Sequence, residues 1–449
     1  MNPIAKIPRA LLLAALADLE RHHPFAGERL GFFSFRQSLD AAEPLLLCFE
    51  YHSIPDDHYV EDYSVGGRIG GVAIQAAMGR AYNTGAGQLW VHTHGRNGIP
   101  GVSPTDRESG PKVVQSCANA QPKVLHAWAV ISEQGICGQV RGLDGAFHPL
   151  LRLAVIGWPM IIPAQREITY RALRARAKDR APADERYDRQ SFLGAGAQDI
   201  IENARVGIVG LGGGGSHLAQ QLAHLGFRDV VLCDPQQIAD TNLNRLVGAT
   251  VQDVHAKAFK THIAARLYRG LQPKAKIDDR PLGWEAKVSA LRCCDVIFGA
   301  IDGFAARRDL EAFCRNHLIP LVDIGMKVLR PENEAPEIRG QVILSMPGET
   351  CMHCLQFLTA ANLAEDVQDY DKDPQPQVVW PNGILASSAI GYAIGLLTGW
   401  PGSSVPSCRM DYRGSQMTMS PSHMAAALKE HKCPHFSPSH CGDPRYQKL

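Results

Sequence analysis

Residues 205–234 read RVGIVGLGGGGSHLAQQLAHLGFRDVVLCD, and this stretch decides the fold of the larger part of the chain. A short β-branched run, VGIV, is followed by Gly210-Leu211-Gly212-Gly213-Gly214-Gly215, then a helical pattern, then a second apolar run ending in Asp234. Strand, glycine loop, helix and strand make a βαβ unit, which predicts a parallel sheet covered on both faces. Gly210, Gly212 and Gly215 fit the G-x-G-x-x-G pattern. Glycines there let the backbone approach a phosphate, and the following helix N-terminus favours its negative charge. Asp234 stands where a ribose-binding acid belongs. Taken alone, the loop suits NAD as well as ATP.

The residues further out separate the two. Downstream come Asn242-Leu243-Asn244-Arg245, then Lys260, then Asp302 at the end of the apolar run DVIFGAID; upstream lies Arg186-Tyr187-Asp188-Arg189-Gln190. A dehydrogenase has no need of two cations and a carboxylate around the phosphates, whereas adenylation does. Arg245 and Lys260 are suited to neutralising the attacked phosphate, and Asp302 to anchoring Mg²⁺.

This set resembles the ThiF/MoeB and ubiquitin-activating superfamily over about residues 186–400. The resemblance implies ATP and magnesium as cofactors, and a ubiquitin-like or sulfur-carrier protein ending in glycine as the partner. It also implies a homodimer in which Arg189 reaches the other protomer's site. Gln236 replaces a common second acid of the family, and the stretch before Lys260 lacks the Gly-x-Pro-Lys run. Many relatives bind a structural zinc through two cysteine pairs. Here the resemblance points to Cys351, Cys354 and Cys433, with Cys441 or His435 as the fourth ligand. Between Cys354 and Cys408 there is no cysteine, so no thioester nucleophile stands out. Cys293, Cys294 and Cys314 read as core. The adenylate would then pass to a separate conjugating-enzyme-like protein or sulfurtransferase.

The N-terminal part carries a different signal. WVHTHGRNGIPGVSPTD places His92 and His94 two residues apart, then Ser103 and Asp106. On a strand the two imidazoles share a face. Two imidazoles and a carboxylate fill three positions of a tetrahedral zinc and leave the fourth open, as a hydrolytic site requires. Ser-Pro-x-Asp is also an ordinary helix start. Together the pieces resemble the JAMM (MPN-type) metalloproteases over about residues 8–160. The resemblance implies a catalytic zinc on His92, His94 and Asp106, Glu28 as the base that activates the zinc water, and Ser103 as an oxyanion donor. Glu50 and Glu61 are the positional rivals of Glu28. The gap from His94 to Ser103 is one residue longer than the family's usual seven, and Gly95 replaces a common proline.

The length of 449 residues exceeds one ordinary core and points to two or three domains, while 45% apolar and 20% charged residues are those of a globular protein and a net charge of +1 gives no electrostatic case for nucleic acid or an anionic membrane. No secretory signal or spanning stretch is evident, since Ile384–Trp400 is broken by serines and glycines; twelve scattered cysteines then fit a reducing, cytoplasmic setting. The expected architecture is α/β overall. An α+β JAMM (cytidine-deaminase-like) domain occupies 1–165, a charged helical linker 166–185, and a Rossmann-like ThiF domain with a parallel sheet 186–449. Three functions follow. One is a fused peptidase and activating enzyme for one ubiquitin-like protein, an organisation that resembles bacterial modification systems, some tied to phage defence. Another is sulfur-carrier maturation and activation for cofactor synthesis. The third, an NAD-dependent oxidoreductase, is opposed by Arg245, Lys260 and Asp302.

Overall fold

The computed structural model describes residues 2–39, 43–95, 98–162, 185–331, 333, 335–369, 376–402, 406–428 and 431–442. The linker expected at 166–185 lies, except for its last residue, outside the described residues. The chain divides into two compact units, Met1–Asp179 with Ser437–Leu449, and Arg180–Phe436.

In the first unit the described strands are β1 (Ile4–Pro8), β2 (Leu30–Ser38), β3 (Leu45–Ser53), β4 (Gly87–His92), β5 (His126–Ser132), β6 (Gly135–Arg141), β7 (Phe147–Leu150) and β8 (Arg152–Ile156). They form one mixed sheet in the order β7-β6-β5-β4-β2-β3-β1-β8. Alternation along β2 sends Phe33 and Phe35 to one face and Phe32 to the other, as a period of two requires. The first face packs against the helix Arg9–Leu19 through Leu12, Leu16 and Leu19. The second packs Trp90 and Trp128 against the helices Gly71–Thr84 and Pro104–Ala120. The latter helix starts on a capping box, with Ser103 as N-cap, Pro104 in the first turn and Asp106 reaching back.

The second unit contains β9 (Arg205–Val209), β10 (Asp229–Cys233), β11 (Lys276–Asp278), β12 (Val296–Gly299), β13 (Leu321–Leu329), β14 (Glu337–Ser345), β15 (Arg409–Arg413) and β16 (Thr418–Pro421). Its sheet runs β11-β10-β9-β12-β13-β14-β15-β16. The first five strands are parallel, as the βαβ reading predicts. The expectation of a parallel sheet needs one correction, because β13 to β16 continue it as an antiparallel meander. The helix Gly213–Leu225 ends on Gly226 in the left-handed region, at φ +100°. It packs against Val379–Thr398, a helix whose buried residues are mostly Ala, Ile and Leu.

The expected second domain, 186–449, ends sooner. Arg36 Nε donates to Ser439 O at 3.3 Å and Cys441 Sγ to Leu47 O at 3.5 Å, so Ser437–Gly442 belong with the first sheet. No helix among the described residues is long and apolar enough to cross a membrane.

Candidate active sites

In the first unit, register explains how residues far apart in sequence meet. β2 and β4 are antiparallel with Leu30 opposite His92, so Glu28, two residues before Leu30, faces His94, two residues after His92. The strand stops at His92, so His94 sits just past its end rather than on it. His92 Nε2 lies 3.1 Å from His94 Nε2 and 3.1 Å from Asp106 Oδ1. His94 Nε2 is 3.5 Å from Asp106 Oδ2 and 3.7 Å from Glu28 Oε1. Glu28, His92 and His94 each offer a donor atom within 4.8 Å of the others. The helix-start reading of Ser103 and Asp106 is seen directly, and it leaves the Asp106 carboxylate beside the imidazoles. Ser103 N donates to Asp106 Oδ2 at 2.7 Å, Asp106 N donates to Ser103 Oγ at 3.2 Å, and the carboxylate so fixed turns toward the imidazoles. Burial works to raise the Asp106 carboxyl, but His92 and the Ser103 amide outweigh it and hold it at about 2. The rivals fall elsewhere. Glu50 is exposed on β3 beside His52, and Glu61 accepts from Tyr63 Oη at 2.6 Å.

In the second unit a cavity of about 450 Å³ opens at the carboxyl ends of β9, β10 and β12, where ligands bind in open α/β sheets. Gly210, Gly212, Asp234, Asn242, Arg245, Lys260 and Asp302 all line it. Gly210 has φ +89°, and a Cβ there would meet Ala300 O at 2.3 Å. Gly215 does not line the cavity, which corrects its expected place at the phosphate. A Cβ on it would lie 1.8 Å from Gly210 O, so its role is to let helix and loop touch. Asp234 is already engaged, Oδ2 accepting from Leu211 N and Oδ1 from Gln236 N, both at 2.8 Å. Lys260 is buried at the start of the helix Lys260–Leu271, and its Nζ donates to Gln236 Oε1 at 2.6 Å. Gln236, noted only as a departure from the family, is thus the partner that aims the lysine.

Sequence reasoning missed two further groups. Arg307 lines the cavity and pairs with the fully buried Asp323; the arginine follows Asp302 by five residues, but nothing local marks its partner. Asn382 also lines the cavity, with Nδ2 donating to Val378 O at 3.0 Å; a lone amide in an apolar helix was its only signal. Arg189 is exposed on the turn Glu185–Leu193 and does not line the cavity.

The donor atoms of Cys351, Cys354, Cys433 and His435 lie within 4.8 Å of one another. His435 Nδ1 is 3.5 Å from Cys351 Sγ and 3.4 Å from Cys354 Sγ. This corrects the choice of Cys441 as fourth ligand, since Cys441 is buried against Leu47 in the first unit. Of the three cysteines read as core, Cys294 and Cys314 are buried, while Cys293 is half-buried.

A glycine loop, two cations and a carboxylate around a cavity at the head of parallel strands define a nucleotide-binding α/β unit. The chain belongs to the ThiF family, whose profile matches residues 187–435. Among its relatives, SAMP-activating enzyme E1 of Haloferax volcanii is 30% identical over 180 residues, covering 38% of this chain and 61% of the relative. The sulfur carrier protein ThiS adenylyltransferase of Escherichia coli is 29% identical, covering 30% and 56%. The tRNA threonylcarbamoyladenosine dehydratase of E. coli is 29% identical, covering 30% and 50%. The chain thus spans between half and three fifths of these curated relatives. Among solved structures, E. coli MccB with ATP aligns at a TM-score of 0.45 and 20% identity, over 63% of this chain and 82% of that one.

Proposed function

We propose that the second unit uses ATP and Mg²⁺ to adenylate the C-terminal carboxylate of a ubiquitin-like or sulfur-carrier protein, and that the first unit is a zinc peptidase acting on the same protein. The observation that carries the reading is the convergence of Lys260, Arg245 and Asp302 on the cavity beside Gly210 and Gly212. The names of the SAMP-activating and ThiS-adenylylating relatives supply the substrate class. In the reaction a carboxylate oxygen of the protein's terminal glycine attacks the α-phosphorus of ATP, and pyrophosphate leaves with the bonding pair. Lys260 and Arg245 offset the charge that accumulates on the phosphate oxygens. Asp302 would hold Mg²⁺, which screens the same charge. Arg189, exposed and outside its own chain's cavity, is assigned to the partner protomer's site. With no cysteine between Cys354 and Cys408, the adenylate goes to a separate nucleophile: a conjugating-enzyme-like protein or a sulfurtransferase.

In the first unit, two imidazole Nε2 atoms and the Asp106 carboxylate face one point, a donor set that fits zinc in number and type. Zinc held there supplies Lewis acidity toward a scissile carbonyl. Glu28 would take a proton from water and return it to the leaving amine, and the Ser103 hydroxyl would donate to the carbonyl oxygen. Cys351, Cys354, Cys433 and His435 suit a second, structural zinc.

The deciding experiment is exchange of labelled pyrophosphate into ATP. The full chain should catalyse it only with Mg²⁺ and a protein ending in glycine. No exchange across a panel of ubiquitin-like and sulfur-carrier proteins encoded beside this chain's gene would sink the reading.

A further inference from the structure

Glu28 lies beneath an extended hairpin. Tyr59 pairs antiparallel with Ile69, Val60 N donates to Arg68 O at 2.9 Å, and Gly70 N donates to His58 O at 2.8 Å. The hairpin carries Gly66-Gly67, and Glu28 N donates to Gly66 O at 2.7 Å. A Cβ on Gly66 would lie 2.6 Å from both Glu28 Oε2 and Glu28 Cδ; one on Gly67 would lie 2.5 Å from Glu28 O. Neither glycine has a positive φ, so backbone conformation does not call for glycine at either position. A side chain at residue 66 would meet the movable carboxylate end of Glu28, and one at residue 67 the fixed Glu28 carbonyl together with Leu30 Cδ1, 2.9 Å away. Gly71, at the start of the next helix, contrasts with them, since a Cβ there meets nothing within 4 Å.

We propose that Gly66 is a positioning residue for Glu28, its missing side chain leaving the space in which the carboxylate turns toward His94 and the metal cluster. The inference rests on the peptidase reading of the first unit. The backbone bond from Glu28 N fixes where the residue sits along the hairpin. The bare Gly66 Cα sets where the carboxylate points. A methyl at residue 66 forces the carboxylate aside, and the reach to His94 Nε2, 3.7 Å here, lengthens.

The test uses four full-length proteins with cobalt in place of zinc: the unaltered chain, Gly66→Ala, Glu28→Ala and the double variant. Visible difference spectra cancel any constant contribution from the Cys351 site. Gly66→Ala and Glu28→Ala should each shift the bands of the histidine-bound cobalt, and the double variant should match Glu28→Ala, because no carboxylate remains to displace. Cleavage of a peptide ending in Gly-Gly-aminocoumarin should fall roughly 10-fold or more in Gly66→Ala, bounded by the 10²–10⁴ that a general base supplies, with no further loss in the double variant. Gly71→Ala should behave as the unaltered chain. The proposal is overturned if Gly66→Ala leaves spectrum and cleavage unchanged, or if its effect is as large on the Glu28→Ala background. Should Gly66→Ala fail to fold, the double variant must fold as Glu28→Ala does; a double variant equally unfolded also overturns it. A chain whose cobalt spectrum ignores His92→Ala would end the peptidase reading itself, and with it the proposal, a failure distinct from a silent Gly66→Ala.

Discussion

The Glu28–His92–His94–Asp106 cluster and the Lys260–Asp302 cavity are built differently. The cluster is small, with four side chains whose polar atoms approach to between 3.1 and 3.7 Å, two of them at the end of one strand and one fixed by a helix cap. The cavity holds about 450 Å³ and draws its charged groups from separate elements: Arg245 from a loop, Lys260 from a helix start, Asp302 from the bend between β12 and the following helix. On the peptidase reading proposed above, the cluster would hold one ion beside one scissile bond. A cavity of the second kind suits a large polyanion. The cluster therefore depends on the placement of single atoms, whereas the cavity depends on summed charge. The two should respond differently to substitution.

The largest effect is expected in the cluster. Glu28→Gln should retain zinc, by metal analysis, and lower cleavage by about 10²–10⁴; full activity in Glu28→Gln with loss in Glu50→Gln would transfer the role to the rival. In the cavity Asp302→Ala should reduce pyrophosphate exchange by about 10²–10³, and Lys260→Ala by a similar or smaller factor, since each removes one of several charged groups lining the proposed ATP site. Neither should change cleavage by the first unit, and Glu28→Gln should not change exchange. Any crossed effect breaks the comparison.

Two further expectations concern the wall of the cavity. Arg307→Ala leaves the buried Asp323 carboxylate without its cation, and should destabilise the second unit by about 3–5 kcal/mol in urea unfolding. An effect of similar order is one of pH. Burial pushes the Asp323 carboxyl up to about 7, against the opposing pull of Arg307. The native state then binds this proton more tightly than the unfolded chain, whose carboxyl has an ordinary value near 3.8. The contribution to stability is therefore greatest below about pH 4 and declines as pH rises through about 7. Unfolding across that range should show the decline, and Asp323→Asn should flatten it.

The same contrast governs what can be read from the chain alone. His92-x-His94 and Ser103-x-x-Asp106 are local patterns whose spacing states their geometry, whereas Glu28 is reached in the sequence only through the family resemblance, and its place beside His94 follows from the β2–β4 register. The glycine loop is equally local, yet Gly215 serves packing rather than phosphate, because loop and helix touch in a way that no spacing shows. Asp323 and Gln236 matter only through their partners Arg307 and Lys260, brought together by the sheet. The sequence leaves Cys441 and His435 both open as the fourth ligand beside Cys351 for a related reason. A chain that leaves one unit for another within six residues of His435 carries no mark of the crossing.

Nucleotide choice tests the central claim most directly, because the glycine loop permits both ATP and NAD while Lys260, Arg245 and Asp302 favour only one. Calorimetric titration of the full chain should show binding of ATP with Mg²⁺, weakened in Lys260→Ala, and no comparable binding of NAD. Tight binding of NAD with none of ATP would contradict the account.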